Sequence, residues 1–302
     1  MVIPKIGLGT YLMGDKTADS VLTGLKVGYR CFDCGKPPYN EAGAGQGLKQ
    51  GMEELKIARE DLFISTKVWP GNPAWGMPAK TAAGVQESVE DSLKQLQVDY
   101  LDLCLIHVPF CKDARLEQWR ALVELKQQKK IKAIGVSNYT VAHLEEIKEA
   151  GLPMPEANQI ELHPWCQRQE LVAFHKQNGI TTIAYSSLVP LAEWRASEDP
   201  KQRFSLTEQI MADSSSDQAA FQSMAHKYSA TKAQVLLKWA LQKGYAIIPK
   251  STSEERMKEN LNLFGFEISQ EDMQLLDTMD KQLAAAWGGN LQGSDPMAVC
   301  PT

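Results

Sequence analysis

The sequence predicts an α/β barrel whose functional site lies at the carboxyl ends of its strands. Short apolar runs alternate with amphipathic helical patterns along the chain, which indicates parallel strands joined by helices. Several of these runs end in polar or charged residues, and no linker marks a second domain. The runs in question finish at Asp33, Lys67, His107, Ser137-Asn138, Tyr185-Ser186 and Lys250-Ser251. We therefore expect residues 1–302 to form one domain.

The clearest of these runs is Leu101 to Ile106, which is nearly continuous in apolar residues. Such a run suits a strand that is buried on both faces. It ends at His107, and Pro109 prevents regular continuation of the strand. A single histidine in this position is most simply a structural residue. The polar groups that end the other strands favour a functional interpretation, in which His107 points into a cleft.

Helical patterns separate the predicted strands. In residues 81–96, for example, Val85, Val89, Leu93 and Leu96 recur at spacings of three and four. The predicted helices are 17–26, 40–56, 81–96, 116–128, 140–150, 169–178, 217–228, 231–242, 254–260 and 270–279. The long mixed segment 188–216 interrupts this rhythm. We expect that loop and the tail 284–302 to lie at the site face, since long loops in compact domains are usually functional or disordered.

Composition and charge exclude several classes of function. The formal net charge of -5 gives no support for nucleic-acid binding. No apolar run approaches the roughly 18 residues of a membrane span, and the first residues lack the features of a secretory signal. We therefore expect a cytoplasmic protein that acts on a small molecule, without a nucleic-acid or membrane partner. A monomer or weak dimer is the expected assembly.

Metal and redox sites are not expected either. Cys31 and Cys34 form a CxxC pattern, but their odd separation along a strand would point them to opposite faces. No three histidines have the spacing of a metal site. His143, His163, His175 and His226 are interpreted as structural or surface residues.

A series of motifs, in chain order, resembles those of the aldo-keto reductase superfamily. They are Gly7-Leu8-Gly9-Thr10, Asp33 with Asn40-Glu41, Thr66-Lys67-Val68-Trp69, Leu105-Ile106-His107-Val108-Pro109, Ile134-Gly135-Val136-Ser137-Asn138, Asn158-Gln159-Ile160-Glu161-Leu162-His163-Pro164, and Ile248-Pro249-Lys250-Ser251 with Arg256, Glu259 and Asn260. Together these motifs cover nearly the whole chain. The resemblance implies a (β/α)8 TIM barrel that binds NADPH or NADP+ across its C-terminal face and reduces aldehydes or ketones.

The chemistry of such a reduction needs particular side chains. Hydride transfer leaves charge growing on the carbonyl oxygen, so the site needs a proton donor and fixed hydrogen-bond donors. A tyrosine, with a free pKa of about 10, is a reluctant acid, and a neighbouring cation would lower that pKa. By resemblance, Lys67 supplies the cation, Asp33 keeps Lys67 charged, and His107 orients the carbonyl. A structural ion pair at the barrel rim is the alternative interpretation of Asp33 and Lys67.

The proton donor is where the sequence departs from the family pattern. That pattern is aspartate, four residues, tyrosine, one residue, then Asn-Glu. Asp33 and Asn40-Glu41 keep the spacing, but Pro38 occupies the tyrosine position and Tyr39 follows one residue later. Tyr39 is the expected general acid if the two prolines re-route the loop into the cleft. Otherwise His107 or water would protonate the substrate weakly.

Cofactor recognition is expected at the start of a helix near the C-terminus. Lys250, Ser251 and Arg256 cluster there, and Thr252 with Glu255 has the spacing of a capping box. A helix N-terminus with basic side chains favours a phosphate dianion, which suits the 2′-phosphate of NADPH. The alternative is a solvated, charged helix start.

The resemblance assigns the other contacts with cofactor and substrate. Ser137, Asn138 and Gln159 would bind the carboxamide, Tyr185 would stack on the nicotinamide, and Glu259 and Asn260 would lie near the adenine. Further cofactor residues would be Thr10, Tyr11, Asp33, Ser186 and Leu188. The pocket for a small, fairly apolar carbonyl compound would be lined by Tyr11, Trp69, His107, Phe110 and Trp287.

Two other functions stay open on the sequence alone. One is a barrel lyase in which Lys67 forms a Schiff base with a carbonyl substrate. The residues from Lys250 to Asn260 argue against it, because a lyase of this kind needs no nucleotide. The other is a cofactor-binding sensor or scaffold with impaired catalysis, which the Pro38 substitution makes plausible.

Overall fold

A computed structural model describes residues 2–37, 39–191, 214–286 and 296–299. Its sheet has eight parallel strands in chain order. The strands are β1 (Leu8–Gly9), β2 (Cys31–Asp33), β3 (Phe63–Val68), β4 (Leu101–Ile106), β5 (Ile131–Ser137), β6 (Ala157–Glu161), β7 (Thr181–Tyr185) and β8 (Ala246–Ile247). The sheet closes where Ile6 pairs with Ile247 and the amide of Gly7 donates to the Ile247 carbonyl at 2.8 Å. The predicted (β/α)8 barrel is confirmed.

Helices cover the outside of this barrel. They are α1 (Thr17–Val27), α2 (Glu41–Leu55), α3 (Ala82–Leu96), α4 (Arg115–Gln127), α5 (Val141–Glu149), α6 (Gln169–Gln177), α7 (Ser215–Lys227), α8 (Lys232–Gln242), α9 (Glu254–Leu261), α10 (Gln270–Asp277) and α11 (Pro296–Val299). Several begin one residue later than predicted, because Asn40, Thr81, Thr140 and Thr231 are N-caps whose side chains accept amide hydrogen bonds.

Side chains inside the barrel follow the two-residue period of the strands. The buried interior cluster consists of Ile3, Cys31, Phe63, Leu103, Leu105, Ala133, Ala157, Ile183 and Ala246. Further toward the carboxyl ends, at even spacing from these residues, come Asp33, Lys67, His107, Ser137, Gln159 and Tyr185. The same alternation that fills the barrel therefore aims these polar side chains at its C-terminal opening.

The opposite faces of the strands pack under the helices in a second, larger cluster that includes Phe32, Ile64 and Val136. Cys31 belongs to the interior cluster and Cys34 to the outer one, as their odd separation predicts. Both are free thiols. In the part of the chain that the structure describes, no group of acidic, histidine and cysteine side chains could hold a metal ion.

The other histidines mainly support the scaffold. His143 completes the capping box of α5, and His175 contacts Asn158 and Thr182 in the core. Among the described residues, no helix is both long enough and apolar enough to cross a membrane.

Candidate active site

Lys67 and Asp33 form an ion pair at the carboxyl ends of β3 and β2. The Lys67 Nζ lies 2.6 Å from Asp33 Oδ2, and each side chain is at most 3% exposed. Lys67 also donates to the Cys34 carbonyl at 2.8 Å. The second carboxylate oxygen accepts from Ser65 Oγ at 3.0 Å and from Gln159 Nε2 at 2.9 Å. Both members of the pair are thus buried, and each has further hydrogen-bond partners.

Tyr39 lies in the cleft beside this ion pair. The Lys67 Nζ is 4.6 Å from the centre of the Tyr39 ring, and its positive charge acts on the Tyr39 phenol. The Tyr39 ring makes edge contacts with Tyr11 and His107, at centroid distances of 5.3 and 6.4 Å. The one-residue shift therefore does not remove the phenol from the cleft. Asp33, Tyr39, Lys67 and His107 are all brought together.

Burial and charge set the protonation states here. Burial raises the pKa of Tyr39 to about 12, although the Lys67 cation lowers it. Lys67 lowers the Tyr39 pKa, as predicted, but burial raises it by more. Burial alone would lower the pKa of Lys67, but Asp33 and Tyr39 raise it above its ordinary value. Burial, then the Lys67 charge, lower the pKa of His107 to about 3.

At neutral pH these shifts leave Tyr39 as a phenol, Lys67 as an ammonium and His107 as a neutral imidazole. A phenol offers one O–H donor and a neutral imidazole one N–H donor. The cleft therefore holds an O–H donor and an N–H donor on neighbouring rings, with a fixed positive charge beside the phenol.

A second polar network joins the ends of β5, β6 and β7. Ser137 Oγ donates to the Gln159 carbonyl at 2.7 Å, and Asn138 Nδ2 donates to the His107 carbonyl at 3.0 Å. The Tyr185 hydroxyl donates to Asn138 Oδ1 at 2.7 Å. Four of the residues predicted to contact the nicotinamide end of the cofactor therefore lie together, and Gln159 links them to Asp33.

The other predicted cofactor residues at the strand ends share this rim. Thr10 donates through both its amide and its hydroxyl to the Asp33 carbonyl, each at 3.0 Å. Tyr11 follows it and is 43% exposed. Ser186, with a left-handed φ of 55°, comes directly after β7, and Leu188 packs against the outer core.

Lys250 and Arg256 form an exposed basic pair at the start of α9. Within the described ranges neither makes an ion pair, whereas Lys258 on the same helix pairs with Glu254. Burial, then the charges of Arg256 and Lys16, lower the pKa of Lys250. Positive charges held close without a counter-ion favour an anionic ligand. Lys16 is a member of this group that sequence reasoning missed.

The predicted capping box of Thr252 and Glu255 is wrong. Ser253 is the N-cap of α9, because its backbone is extended and its hydroxyl accepts from the Arg256 amide at 3.4 Å. Ser251 is buried, and its hydroxyl accepts from the Ser253 amide at 3.0 Å. Glu259 and Asn260 lie in the last turn of this helix.

Aromatic rings line one side of the cleft. Trp69 contacts His107 and Phe110 edge-on, at centroid distances of 5.6 and 5.8 Å. Trp75 stacks on Trp69 at 6.1 Å and meets Phe110 at 5.7 Å. Trp75 is a member of this wall that sequence reasoning missed. Trp287 lies outside the described residues.

A tight hairpin presents Trp75. The amides of Asn72 and Met77 each donate to the other's carbonyl at 3.0 Å, and the Asn72 side chain accepts from the Ala74 amide. Gly76 supplies a left-handed φ of 73° at the tip. Trp75 is 46% exposed, so part of its ring is accessible beside Trp69 and Phe110.

Glu161, at the end of β6, fastens the C-terminal tail to the barrel rim. Its carboxylate accepts from the amides of Ala285 and Ala286 at 2.8 and 3.0 Å and lies 3.0 Å from His163 Nε2. Although burial opposes ionisation, these partners hold the pKa of Glu161 below its usual value. The tail therefore reaches the C-terminal rim at residues 285 and 286, whereas residues 287–295 lie outside the described part of the chain. Glu161 is a residue that sequence reasoning missed.

Comparisons with known proteins show the family of this chain. Residues 5–281 match the family model described as "Aldo/keto reductase family". The chain belongs to the aldo/keto reductase family. It is 39% identical over 281 residues to the glyoxal reductase of Bacillus subtilis, a match that covers 92% of this chain and 90% of that protein.

Other members give similar matches. The NADPH-dependent D-xylose reductase of Meyerozyma guilliermondii is 31% identical over 311 residues, covering 93% of this chain and 92% of that protein. A crystal structure of a Bombyx mori aldo-keto reductase in complex with NADP aligns with a TM-score of 0.78 and 28% identity, covering 93% of this chain and 90% of that one. This aldo/keto reductase is thus an oxidoreductase, and its relatives support carbonyl reduction.

The low pKa of His107 predicts a pH-dependent stability. In the unfolded chain His107 titrates at its ordinary value of 6.5, and in the folded protein at about 3. Between these values the unfolded chain binds a proton that the folded protein does not, so stability falls as pH falls. When the pH is lowered from about 7.5 to about 5, the unfolding free energy of the unmutated protein should therefore fall by up to about 2 kcal/mol more than that of His107→Gln.

Urea unfolding at the two pH values measures this difference. His175, whose pKa burial lowers to about 4, contributes equally to both proteins and cancels. Parallel losses of stability in the His107 variant and the unmutated protein would contradict the expected effect.

Proposed function

We propose that this aldo/keto reductase uses NADPH to reduce aldehydes or ketones to alcohols. The observation that carries the proposal is the convergence of Tyr39, Lys67 and His107 on one cleft, with Asp33 buried behind Lys67. A phenol and an imidazole beside a fixed ammonium suit a reaction in which negative charge develops on a carbonyl oxygen.

In the proposed reaction each residue has a separate task. NADPH, when bound, supplies the hydride that adds to the carbonyl carbon. Tyr39 gives its phenolic proton to the carbonyl oxygen, and the Lys67 cation stabilises the resulting phenolate. His107, neutral at working pH, donates a hydrogen bond that orients the carbonyl. Asp33 keeps Lys67 charged and in place through the 2.6 Å contact.

The residues present fit an NADP cofactor. Lys250 and Arg256 make a basic pair without a described counter-ion, which is the chemistry that a phosphate dianion needs. Ser137, Asn138 and Gln159 would bind the nicotinamide carboxamide, and the Tyr185 ring would stack on the nicotinamide. The Bombyx mori protein crystallised with NADP and the NADPH-dependent xylose reductase support this assignment. We place Glu259 and Asn260 near the adenine.

We propose small, fairly apolar aldehydes and ketones as substrates. Trp69, Trp75 and Phe110 offer apolar ring faces and edges beside His107. Such a wall favours a substrate whose group beyond the carbonyl is flat and apolar, because aromatic pairs stabilise by about 0.5–1.5 kcal/mol beyond area burial. We further expect the enzyme to be a cytoplasmic monomer or weak dimer.

The alternative functions have less support. A Schiff-base lyase needs an uncharged lysine, whereas Asp33 and Tyr39 raise the pKa of Lys67. A sensor without catalysis was suggested by the late position of Tyr39. The contact of its ring with Lys67 favours an acid role instead.

Tyr39→Phe tests the acid role. The variant keeps the ring in the cleft but removes the proton, so turnover should fall about 10²–10⁴-fold. Its NADPH affinity, followed by fluorescence titration, should change little. A suitable control is Tyr100→Phe, because Tyr100 precedes β4 at the opposite end of the barrel. Unchanged turnover of a carbonyl panel in Tyr39→Phe would rule out Tyr39 as the acid.

Arg256→Ala tests the cofactor preference. A charge-assisted hydrogen bond to the 2′-phosphate is worth about 1.5–3 kcal/mol, so NADPH binding should weaken about 10–100-fold. NADH, which lacks that phosphate, should bind as before. Lys258→Ala removes one positive charge from the same helix and should have little effect, since Lys258 is already paired with Glu254. Equal affinities of the unmutated enzyme for NADPH and NADH would refute the proposed preference.

Trp75→Ala tests the substrate class. Its kcat/KM should fall about tenfold for a bicyclic aromatic aldehyde, because the outer ring contact is lost. Propanal, which is too short to reach that ring, should be reduced as before. Met77→Ala removes an exposed apolar side chain from the same hairpin and serves as the control. An equal loss on both substrates would indicate a general role in folding or positioning.

A further inference from the structure

We propose that Gly35 and Lys36 are positioning residues that hold the Tyr39 ring against Lys67. The inference rests on the proposed function, in which Tyr39 is the general acid. It explains how a tyrosine one residue later than the family pattern still reaches the cleft. The inference rests on residues that lie within 35–41, called the Tyr39 loop, or that contact this loop directly.

Gly35 leaves the space that the Tyr39 ring fills. A Cβ atom at residue 35 would lie 2.8 Å from Tyr39 Cδ2 and 3.0 Å from Cε2, closer than carbon atoms normally approach. The φ of Gly35 is outside the left-handed region, so a positive φ is not the reason for a glycine at this position. A side chain at residue 35 is therefore excluded by the Tyr39 ring and not by the φ of the backbone.

A backbone hydrogen bond folds the loop back on itself. The Tyr39 amide donates to the Lys36 carbonyl at 3.2 Å. This turn brings the ring of Tyr39 over Gly35, the residue just before Lys36. The position of the phenol is thus defined by the turn on one side and by the contact with Gly35 on the other.

The Lys36 side chain ties the turn to the barrel. Its Nζ lies 2.9 Å from Glu41 Oε2 and 2.5 Å from Asp91 Oδ2. Glu41 is buried at the start of α2 and also accepts hydrogen bonds from the hydroxyls of Thr66 and Ser92. Thr66 directly precedes Lys67 on β3. The loop that carries the acid is therefore anchored to the strand that carries its charged partner.

Proton transfer is sensitive to small displacements. A misplacement of about 1 Å can cost about 10²-fold in rate, even when the reacting groups are intact. A side chain at residue 35 would have to displace either the Tyr39 ring or the backbone of the turn. Either change moves the hydroxyl relative to Lys67, while the strand-end residues of β5 to β7 and the basic pair on α9 stay in place.

Gly35→Ala is the direct test. It should lower kcat about 10²-fold and leave the NADPH dissociation constant unchanged. Gly84→Ala is the matched control, because a Cβ there would meet its nearest neighbour at an ordinary 3.5 Å. The control should keep full turnover. Thermal unfolding of both variants checks that any loss does not come from failure to fold.

A double-mutant cycle separates positioning from a merely structural role. In a Tyr39→Phe background the ring remains but the acid is gone, so adding Gly35→Ala should lower kcat no further. If Gly35→Ala instead caused a general structural defect, its fold-loss in kcat would multiply with the fold-loss from Tyr39→Phe. The solvent deuterium isotope effect on kcat should also increase in Gly35→Ala, since proton transfer becomes slower.

Lys36 provides a second variant if Gly35→Ala does not fold. Lys36→Met should lower kcat at unchanged NADPH affinity, and Lys36→Arg, which can still pair with Glu41, should recover most of it. Lys26→Met is the control, because Lys26 forms an ion pair with Glu54 on the outside of the barrel.

The outcomes distinguish this inference from the proposed function. If Tyr39→Phe loses turnover while Gly35→Ala and Lys36→Met keep it, the positioning role is overturned and the acid role stands. The positioning role is also overturned if the kcat losses of Gly35→Ala and Tyr39→Phe multiply in the double variant. If Tyr39→Phe keeps full turnover, both the acid role and the positioning role are wrong.

Discussion

A buried ammonium and a buried carboxylate need partners for every charge they carry, because each loses several kcal/mol of hydration on leaving water. In this barrel Lys67 has the Asp33 carboxylate and the Cys34 carbonyl, and the carboxylate has donors from Ser65 and Gln159. Those donors come from β3 and β6, on either side of the opening. The ion pair therefore joins the strands, and removal of one partner would leave an uncompensated charge at the rim.

The barrel and its strand-end residues could be predicted because they follow from a local rule. Side chains alternate along a strand, so the residues beyond each interior position point to the same opening. This rule places Asp33, Lys67, His107 and Gln159 together without knowledge of distant contacts. Helix starts were displaced by one residue for a similarly local reason: residues such as Asn40 and Thr81 cap the helix from outside it.

Other features of the site depend on individual contacts and not on a periodic pattern. The position of Tyr39 depends on Gly35 and on the ion pairs that Lys36 makes with Glu41 and Asp91. The stacking of Trp75 on Trp69 depends on a hairpin closed by backbone bonds, which leave no periodic signal in the sequence. No sequence pattern shows how deeply Tyr39 is buried, and burial decided the net direction of the Tyr39 pKa.

The raised pKa of Tyr39 bears on how the proposed acid would work. In the resting site burial outweighs the Lys67 charge, so Tyr39 is a weak acid that stays protonated. As its proton moves to the substrate, negative charge grows on the phenolic oxygen beside Lys67. The attraction between these two charges is gained mainly in the transition state and the product, not in the resting enzyme. A catalytic benefit from Lys67 therefore does not require a low resting pKa for Tyr39; it requires that the hydroxyl be held close to the ammonium.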